Sequence, residues 1–274
     1  MKKTPCTVFL AAAVLLGIIR TVDLCLFTEV GTEGFVSVGS AWQRYAVMAV
    51  FALALLFYPN NKNDKSIKST SLAARSELAV AGDLALISGV LAAVYSVTQL
   101  LTPTTMFGME QLGAGLMLFA FALRFILSLG LLAFGAWLLM LYKHKEPLSP
   151  QRGTMRTLGF CGVMGFFALT ILRYAEMPAS VHHMLAILPI FSALSALIFT
   201  SKLLGTICVD GTAAHRHSLC TSAIFAFFMC TCIGLPQMVW QAFHREITPM
   251  NMFISAALGI YGVAAAGIAY KNAE

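Results

Sequence analysis

Eight long runs of apolar residues constrain this chain more than any other feature of its sequence. They cover residues 7–27, 42–58, 78–101, 113–142, 157–175, 183–204, 219–241 and 250–270. A helix needs roughly 17–25 such residues to cross a bilayer. The runs do not alternate between apolar and polar residues, and an open sheet would leave backbone groups unsatisfied in lipid. The sequence therefore predicts an all-α integral membrane protein with about eight transmembrane helices.

The composition excludes an ordinary soluble domain. Charged residues make up 11% of the 274 residues, against about a quarter in soluble proteins. The net charge of +6 does not indicate nucleic-acid binding, because the basic residues lie between the apolar runs and form no continuous patch. The lipid bilayer is the predicted partner, and the sequence predicts no particular protein partner.

The distribution of lysine and arginine predicts the topology. Lys and Arg concentrate in cytoplasmic segments of membrane proteins. With the N-terminus inside, the inner segments carry Lys2, Lys3, Lys62, Lys65, Lys68, Arg75, Lys143, Lys145, Arg152, Arg156, Lys202, Arg216 and Lys271, and the outer segments carry only Arg44 and Arg245. We therefore predict a plasma-membrane protein with both termini in the cytoplasm.

The two halves of the chain resemble each other. Thr102-Pro103 precedes run four and Thr248-Pro249 precedes run eight, each followed by Phe four residues after the proline. These matches, and others below, predict a duplication of four helices that run parallel to their counterparts. The units are residues 1–142 and 157–274, joined by a basic cytoplasmic linker over 143–156. Chance is the alternative, because Thr-Pro is a common helix start.

Charged residues inside the apolar runs are the main candidates for a functional site. Arg20 and Asp23 end run one with the spacing i and i+3, and Arg173 and Glu176 end run five in the same way. Arg124 lies in run four, which contains no acidic residue. Ionisable groups at membrane depth are costly and are functional-site hypotheses by default. With the predicted topology, all five fall in the outer half of the membrane.

These five charges have two interpretations. Three arginines and two carboxylates leave a positive excess, and the guanidinium fork suits carboxylate or phosphate groups. This favours an outward-facing pocket that binds or transports a small anionic or zwitterionic solute. Alternatively, the pairs are structural, and the protein is a membrane scaffold or sensor that transports nothing.

Two weaker candidates complete the set. Asp83, alone near the inner end of run three, is a candidate proton or cation relay, or else a helix-start charge that interacts with the dipole. The segment 208–220 offers metal-ligand side chains at Cys208, Asp210, His215, His217 and Cys220, but their spacing matches no standard zinc site. A solvated loop is the favoured interpretation of that segment.

Known catalytic and cofactor motifs are absent from the sequence. It contains no Walker A lysine motif, no Gly-x-Ser-x-Gly, no His-Glu-x-x-His and no Gly-x-Gly-x-x-Gly after a strand. An enzyme is therefore less favoured than a binding or transport protein, and no cofactor is predicted. An intramembrane enzyme acting on a lipid headgroup remains the third alternative.

Overall fold

The fold is described from a computed structural model. The structure describes residues 1–28, 39–58, 76–101, 114–143, 153–175, 184–208, 213–244 and 247–273. The helices are α1 Lys3–Phe27, α2 Ala41–Leu56, α3 Ser76–Leu101, α4 Ala114–Lys143, α5 Gly153–Ala175, α6 Met184–Cys208, α7 Ala213–Ala226, a π helix Phe227–Gly234, α8 Leu235–Phe243 and α9 Pro249–Asn272. The described chain is thus nearly all helical, as predicted.

Seven helical stretches within the described residues are long and apolar enough to cross a membrane. The continuous rod formed by α7, the π helix and α8 counts as one of them. These helices indicate a multi-pass membrane protein. Helix α2 has 16 residues, about 24 Å of helix, and is shorter than the roughly 30 Å hydrocarbon core. Helix length therefore does not establish the predicted eighth crossing.

Four pairs of neighbouring helices are antiparallel. Each antiparallel pair is fixed by contacts at two levels, where a later residue of one helix meets an earlier residue of the other. These contacts are Phe9–Phe51 and Asp23–Arg44 for α1 and α2, Gly82–Gly135 and Gly89–Ser128 for α3 and α4, Gly130–Gly165 and Trp137–Gly159 for α4 and α5, and Thr231–Gly259 and Cys220–Ala269 for the α7–α8 rod and α9.

The first and last helices place the chain termini at one end of the bundle. Helix α1 runs parallel to the α7–α8 rod, because Gly17 packs against Cys232 and Leu24 clusters with Trp240. Helix α9 is antiparallel to that rod. The start of α1 and the end of α9 therefore lie at the same end, here called the terminal end. The opposite end is called the distal end.

The core lies around Tyr261 on α9. Its ring is fully buried, and the rings of Phe134, Phe166 and Phe199 lie 5.0, 6.5 and 5.2 Å from it. Its hydroxyl lies 3.0 Å from the hydroxyl of Thr200. These contacts join α4, α5, α6 and α9, so this group of helices forms the centre of the bundle.

Helix α1 lies at the edge of the bundle. Its outward face consists of exposed apolar side chains: Val14, Leu15, Ile18, Ile19 and Val22. Such a continuous apolar face is unusual for a soluble protein and is what a lipid-facing helix requires. Its opposite face packs on the π helix and α8.

The structure describes only part of the predicted linker and of the segments that suggest a duplication. Helix α5 begins at Gly153, so the last residues of the predicted 143–156 linker are helical. Helix α5 packs along α4 and α6, whereas its predicted counterpart α1 packs on the π helix and α8. Thr248 caps α9 as expected, and Thr102-Pro103 lies outside the described residues. The duplication stays a prediction.

Candidate functional site

Asp23 is the centre of a three-residue ion cluster between α1 and α2. Its Oδ2 atom lies 2.5 Å from Nη1 of Arg20, and its Oδ1 atom lies 2.7 Å from Nη2 of Arg44. The Nε atom of Arg44 also donates to both carboxylate oxygens, at 2.8 and 3.0 Å. The side chain of Arg20 is 4% exposed, and those of Asp23 and Arg44 are 16% exposed. The carboxylate of Asp23 therefore binds two guanidinium groups in a largely buried position.

The sequence places Arg44 in an outer segment and outside the predicted site. The sequence nevertheless contains a signal for this contact. Asp23 lies four residues before the end of α1, and Arg44 lies three residues after the start of α2. Two antiparallel helices joined in sequence bring such positions to the same level. The hairpin geometry therefore accounts for the ion pair.

The ion cluster fastens α2 to α1. At its other end α2 is held by Phe9, whose ring lies 6.1 Å from Phe51 and 5.7 Å from Tyr58. Phe51 in turn lies 4.4 Å from Phe228 of the π helix. This arrangement of Arg20 and Asp23 is the one expected if the two residues form a structural ion pair.

Arg124 and Arg173 lie together in a different place. Both line a cavity of about 110 Å³ among α3, α4, α5 and α9, here called the larger cavity. Its other lining residues are Ala92, Tyr95, Ser96, Leu127, Leu169, Leu172, Thr248, Met250, Asn251 and Ile254. Arg173 lies in the last turn of α5 and Thr248 caps the start of α9, so the cavity lies towards the distal end.

The described lining of the larger cavity carries positive charge from two sources. The guanidinium carbon of Arg124 lies 5.8 Å from the ring centre of Tyr95, a cation–π arrangement that orients this side chain. The N-terminus of α9 borders the same cavity at Thr248 and Asn251. A helix N-terminus carries a partial positive charge and favours anions. The two arginines and the N-terminus of α9 therefore both favour an anion in this cavity.

A smaller cavity of about 20 Å³ shares two lining residues, Leu169 and Arg173, with the larger one. Its other walls come from α6, the π helix, α8 and α9, through Leu188, Pro189, Ser192, Cys230, Gly234, Gln237, Met238, Gln241, Ser255 and Leu258. A space of this size holds about one water-sized group.

Two prolines remove backbone N–H donors beside the smaller cavity. Pro189 has no N–H, so the carbonyl of Leu185 loses its partner within α6. Gln237 replaces it, because its Nε2 atom donates to the Leu185 oxygen at 2.6 Å. Pro236 likewise removes the donor for the carbonyl of Cys232, directly after the π helix. Such π segments recur at functional sites.

The structure divides the five predicted charges into separate groups. Arg124 and Arg173 share the larger cavity, but Arg20 and Asp23 form their own cluster with Arg44. The carboxylate oxygens of Asp23 bind Arg20 and Arg44, and Asp23 is not among the described residues that line the larger cavity. Glu176 lies outside the described residues. Of the three intramembrane arginines, Arg124 and Arg173 therefore line one cavity, and Arg20 belongs to the cluster around Asp23.

The weaker candidates have different surroundings. Asp83 is exposed on α3. His217 stacks on Tyr58 at 6.2 Å, whereas Cys220 is buried with its sulfur 3.7 Å from the Ala269 carbonyl oxygen. Asp210 lies outside the described residues, as do the side chains of Cys208 and His215. Among the described residues, no three metal-ligand side chains cluster.

Sequence reasoning missed the neutral polar residues of the two cavities. They include Tyr95, Ser96 and Asn251 in the larger cavity and Ser192, Gln237 and Ser255 in the smaller one. Each is a polar residue within or beside an apolar run, which is a weak signal because Ser and Tyr are common in membrane helices. No protein-family model, curated protein or solved structure matches this chain. The site is therefore interpreted from its own geometry.

Proposed function

We propose that this multi-pass protein lies in the cytoplasmic membrane, where it binds and transports a small anionic solute at Arg124 and Arg173. The supporting observation is that both arginines line one cavity with the N-terminus of α9. Each guanidinium has five N–H donors, so a partner within the protein leaves donors for a ligand. The volume of about 110 Å³ suits a solute of a few non-hydrogen atoms, since a 150 Å³ apolar cavity holds benzene.

Two other functions receive less support. A scaffold in which all charges are structural fits the Arg20–Asp23–Arg44 cluster, but it does not account for two arginines in one cavity. An enzyme needs a nucleophile or general base at its site. The described lining of the larger cavity contains no carboxylate, histidine or cysteine. Solute binding is the function that uses the groups found there.

The proposed orientation places the terminal end in the cytoplasm. Within the described chain, Lys2, Lys3, Lys143, Arg156, Lys202 and Lys271 all belong to helix ends at the terminal end. This agrees with the positive-inside rule. The larger cavity then lies towards the outer face of the membrane.

Ligand-dependent thermal stability tests the proposed site. The protein purified in detergent is heated with acetate, lactate, phosphate or sulfate at constant ionic strength. We expect at least one of these anions to raise the melting temperature of the wild type, because ligands stabilise the state that binds them. Arg124→Gln and Arg173→Gln are expected to lose this increase and to change little without anion. Arg156→Gln, an exposed change on the same helix as Arg173, is the matched control and should retain it.

Two further results decide the function. Uptake of the stabilising anion into proteoliposomes, lost in Arg124→Gln, distinguishes transport from binding alone. A lower melting temperature for Arg124→Gln and Arg173→Gln with or without anions, together with no anion effect on the wild type, would show that both arginines are structural.

Cysteine labelling tests the orientation in cells. In a variant whose native cysteines are replaced, Ser37→Cys is expected to react with a membrane-impermeant maleimide from outside. Ser66→Cys and Thr154→Cys are expected to react only after the membrane is opened. External labelling of Ser66→Cys would reverse the proposed topology.

A further inference from the structure

Asp83 and Lys202 are charged residues to which the proposed function gives no role. Asp83 lies seven residues after the start of α3, and Lys202 lies six residues before the end of α6. Both are exposed, and both lie within helices that are apolar enough to cross a membrane. Neither makes a hydrogen bond or an ion pair with the described residues of its own chain. A charged group that faces lipid is unfavourable, so each is expected to have a partner outside its own copy of the chain.

A series of helix contacts relates the depth of α3 to that of α6. A Cβ atom at Gly82 of α3 would lie 3.1 Å from the carbonyl oxygen of Gly135 on α4. Two residues further along α4, Trp137 packs against Gly159 of α5. A Cβ atom at Gly159 would also lie 2.6 Å from the side chain of Leu204 on α6. Gly82 and Leu204 therefore lie within about one helical turn of the same depth.

Asp83 and Lys202 lie at nearly the same depth as a result. Asp83 directly follows Gly82, and Lys202 lies two residues before Leu204, so their levels along the bundle agree to within roughly 5 Å. Helix α3 packs on α4, α4 on α5 and α5 on α6, and the two charges do not meet within the described copy. A second copy inserted in the same orientation presents the opposite charge at the required depth.

Helix α6 runs antiparallel to α3. Helix α4 is antiparallel to both α3 and α5, so α3 and α5 run in the same direction. The start of α5 meets the end of α6 where Gly159 contacts Leu204. Towards its other end, Leu169 of α5 lines the smaller cavity together with Leu188 and Ser192 of α6. Helices α5 and α6 are therefore antiparallel, and so are α3 and α6.

The exposed faces that carry the two charges have the same spacing. The exposed residues of α3 recur every three or four positions and include Val80, Asp83, Ile87, Val90, Val94 and Val97, here called the α3 stripe. Those of α6 are Phe191, Leu194, Ile198, Ser201 and Lys202, here called the α6 stripe. Helices whose apolar residues recur at this spacing pack along a common seam.

The two stripes also match in register. Each step of three or four residues along α3 corresponds to a step of three or four residues in the opposite direction along α6. When Asp83 lies beside Lys202, the apolar residues that fall at the same depth are Ile87 with Ile198, Val90 with Leu194 and Val94 with Phe191. Packing of the stripes therefore covers apolar surface on both helices and removes the charge pair from lipid.

We propose that copies of this chain associate in the membrane, with the α3 stripe of one copy packed on the α6 stripe of the next and Asp83 bound to Lys202. Charge complementarity at one depth favours a second copy as the partner. The contact is head-to-tail, so each copy offers Asp83 to one neighbour and Lys202 to another. Asp83 needs this contact more, because a lysine side chain is long enough to extend to the membrane surface and an aspartate is not.

Exchange of the two charges tests the contact. Association of full-length copies with donor or acceptor fluorophores is measured by energy transfer in liposomes, because detergent covers the same apolar stripes. We expect Asp83→Lys and Lys202→Asp each to weaken association at least about tenfold, since like charges then face each other. An equal mixture of the two variants, and the double variant, should associate as the wild type does, because opposite charges face each other again.

Two controls make the result specific. Lys143→Asp reverses another exposed lysine of the terminal end, on α4, and should leave association unchanged. Arg124→Gln should also associate as the wild type does, so this inference and the proposed anion site can fail independently. All variants are expected to keep the wild-type melting temperature in detergent, because neither Asp83 nor Lys202 has a partner within the described copy.

Disulfide crosslinking decides if a charge-reversal variant does not fold. In the variant whose native cysteines are replaced, copies with Ile87→Cys and copies with Ile198→Cys are mixed in liposomes and oxidised with copper phenanthroline. We expect a crosslinked dimer from this mixture. Val14→Cys, on the exposed face of α1, should not crosslink to Ile87→Cys.

Three results would overturn the inference. The first is energy transfer between wild-type copies no greater than that of an unrelated membrane protein at the same density. The second is unchanged association of both single variants. The third is weakened association that neither the mixture nor the double variant restores, which would show that the two charges face another protein or lipid headgroups instead of each other.

Discussion

Asp23→Asn is expected to lower the free energy of unfolding by about 3–5 kcal/mol, the range for removing one partner of a buried ion pair. The carboxylate of Asp23 lies between Arg20 and Arg44, at 2.5 and 2.7 Å. Without its charge, two largely buried guanidinium groups remain side by side and repel each other. The melting temperature in detergent, measured without solute, reports this loss.

Two comparisons make the Asp23 result specific. Arg44→Gln is expected to cost less, because it leaves the Arg20–Asp23 pair neutral overall. Asp83→Asn removes an exposed aspartate from α3 and is expected to change stability by less than about 0.5 kcal/mol. Equal effects of Asp23→Asn and Asp83→Asn would mean that the cluster does not fasten α2 to α1.

Gly165→Ala is expected to separate α4 from α5 and to lower the free energy of unfolding by about 1–3 kcal/mol, as overpacking does. A Cβ atom at residue 165 would lie 2.7 Å from the Cα atom of Gly130. That neighbour is backbone and cannot turn aside as a side chain can. Small residues at such contacts let membrane helices approach closely. Thermal unfolding in detergent measures the effect.

Gly205→Ala is the matched control for this packing contact. Residue 205 is also a glycine within a helix, α6, but nothing lies within 4 Å of a Cβ atom there. We expect Gly205→Ala to be neutral or to stabilise by up to about 1 kcal/mol, because alanine favours the helix more than glycine does. If Gly165→Ala were as stable as Gly205→Ala, the close approach of α4 and α5 would not exist.

The sequence predicted the helical architecture because that part of the problem is local. A run such as 250–270 is long and apolar enough to require a helix in lipid, whatever it packs against. Its start was predicted as well, since Thr248 caps α9 and Pro249 occupies the first turn. The sequence did not predict the π helix 227–234. Contacts that this segment makes with other helices, such as the hydrogen bond from Ser192 to the Met229 carbonyl oxygen at 2.9 Å, are not visible in a local pattern.

The sequence also identified Arg20, Asp23, Arg124 and Arg173 as costly charges, since residue type and depth in an apolar run can both be read from the sequence. Which charge meets which was decided only by the tertiary structure. Asp23 pairs with Arg44 across a hairpin, and Arg124 shares a cavity with Arg173 from the next helix. The orientation of the Gln237 amide follows from its hydrogen bond to the carbonyl of Leu185, which Pro189 leaves free. These two residues are 52 positions apart in the sequence. Partnerships of this kind depend on helix direction and rotation, which packing against neighbouring helices determines.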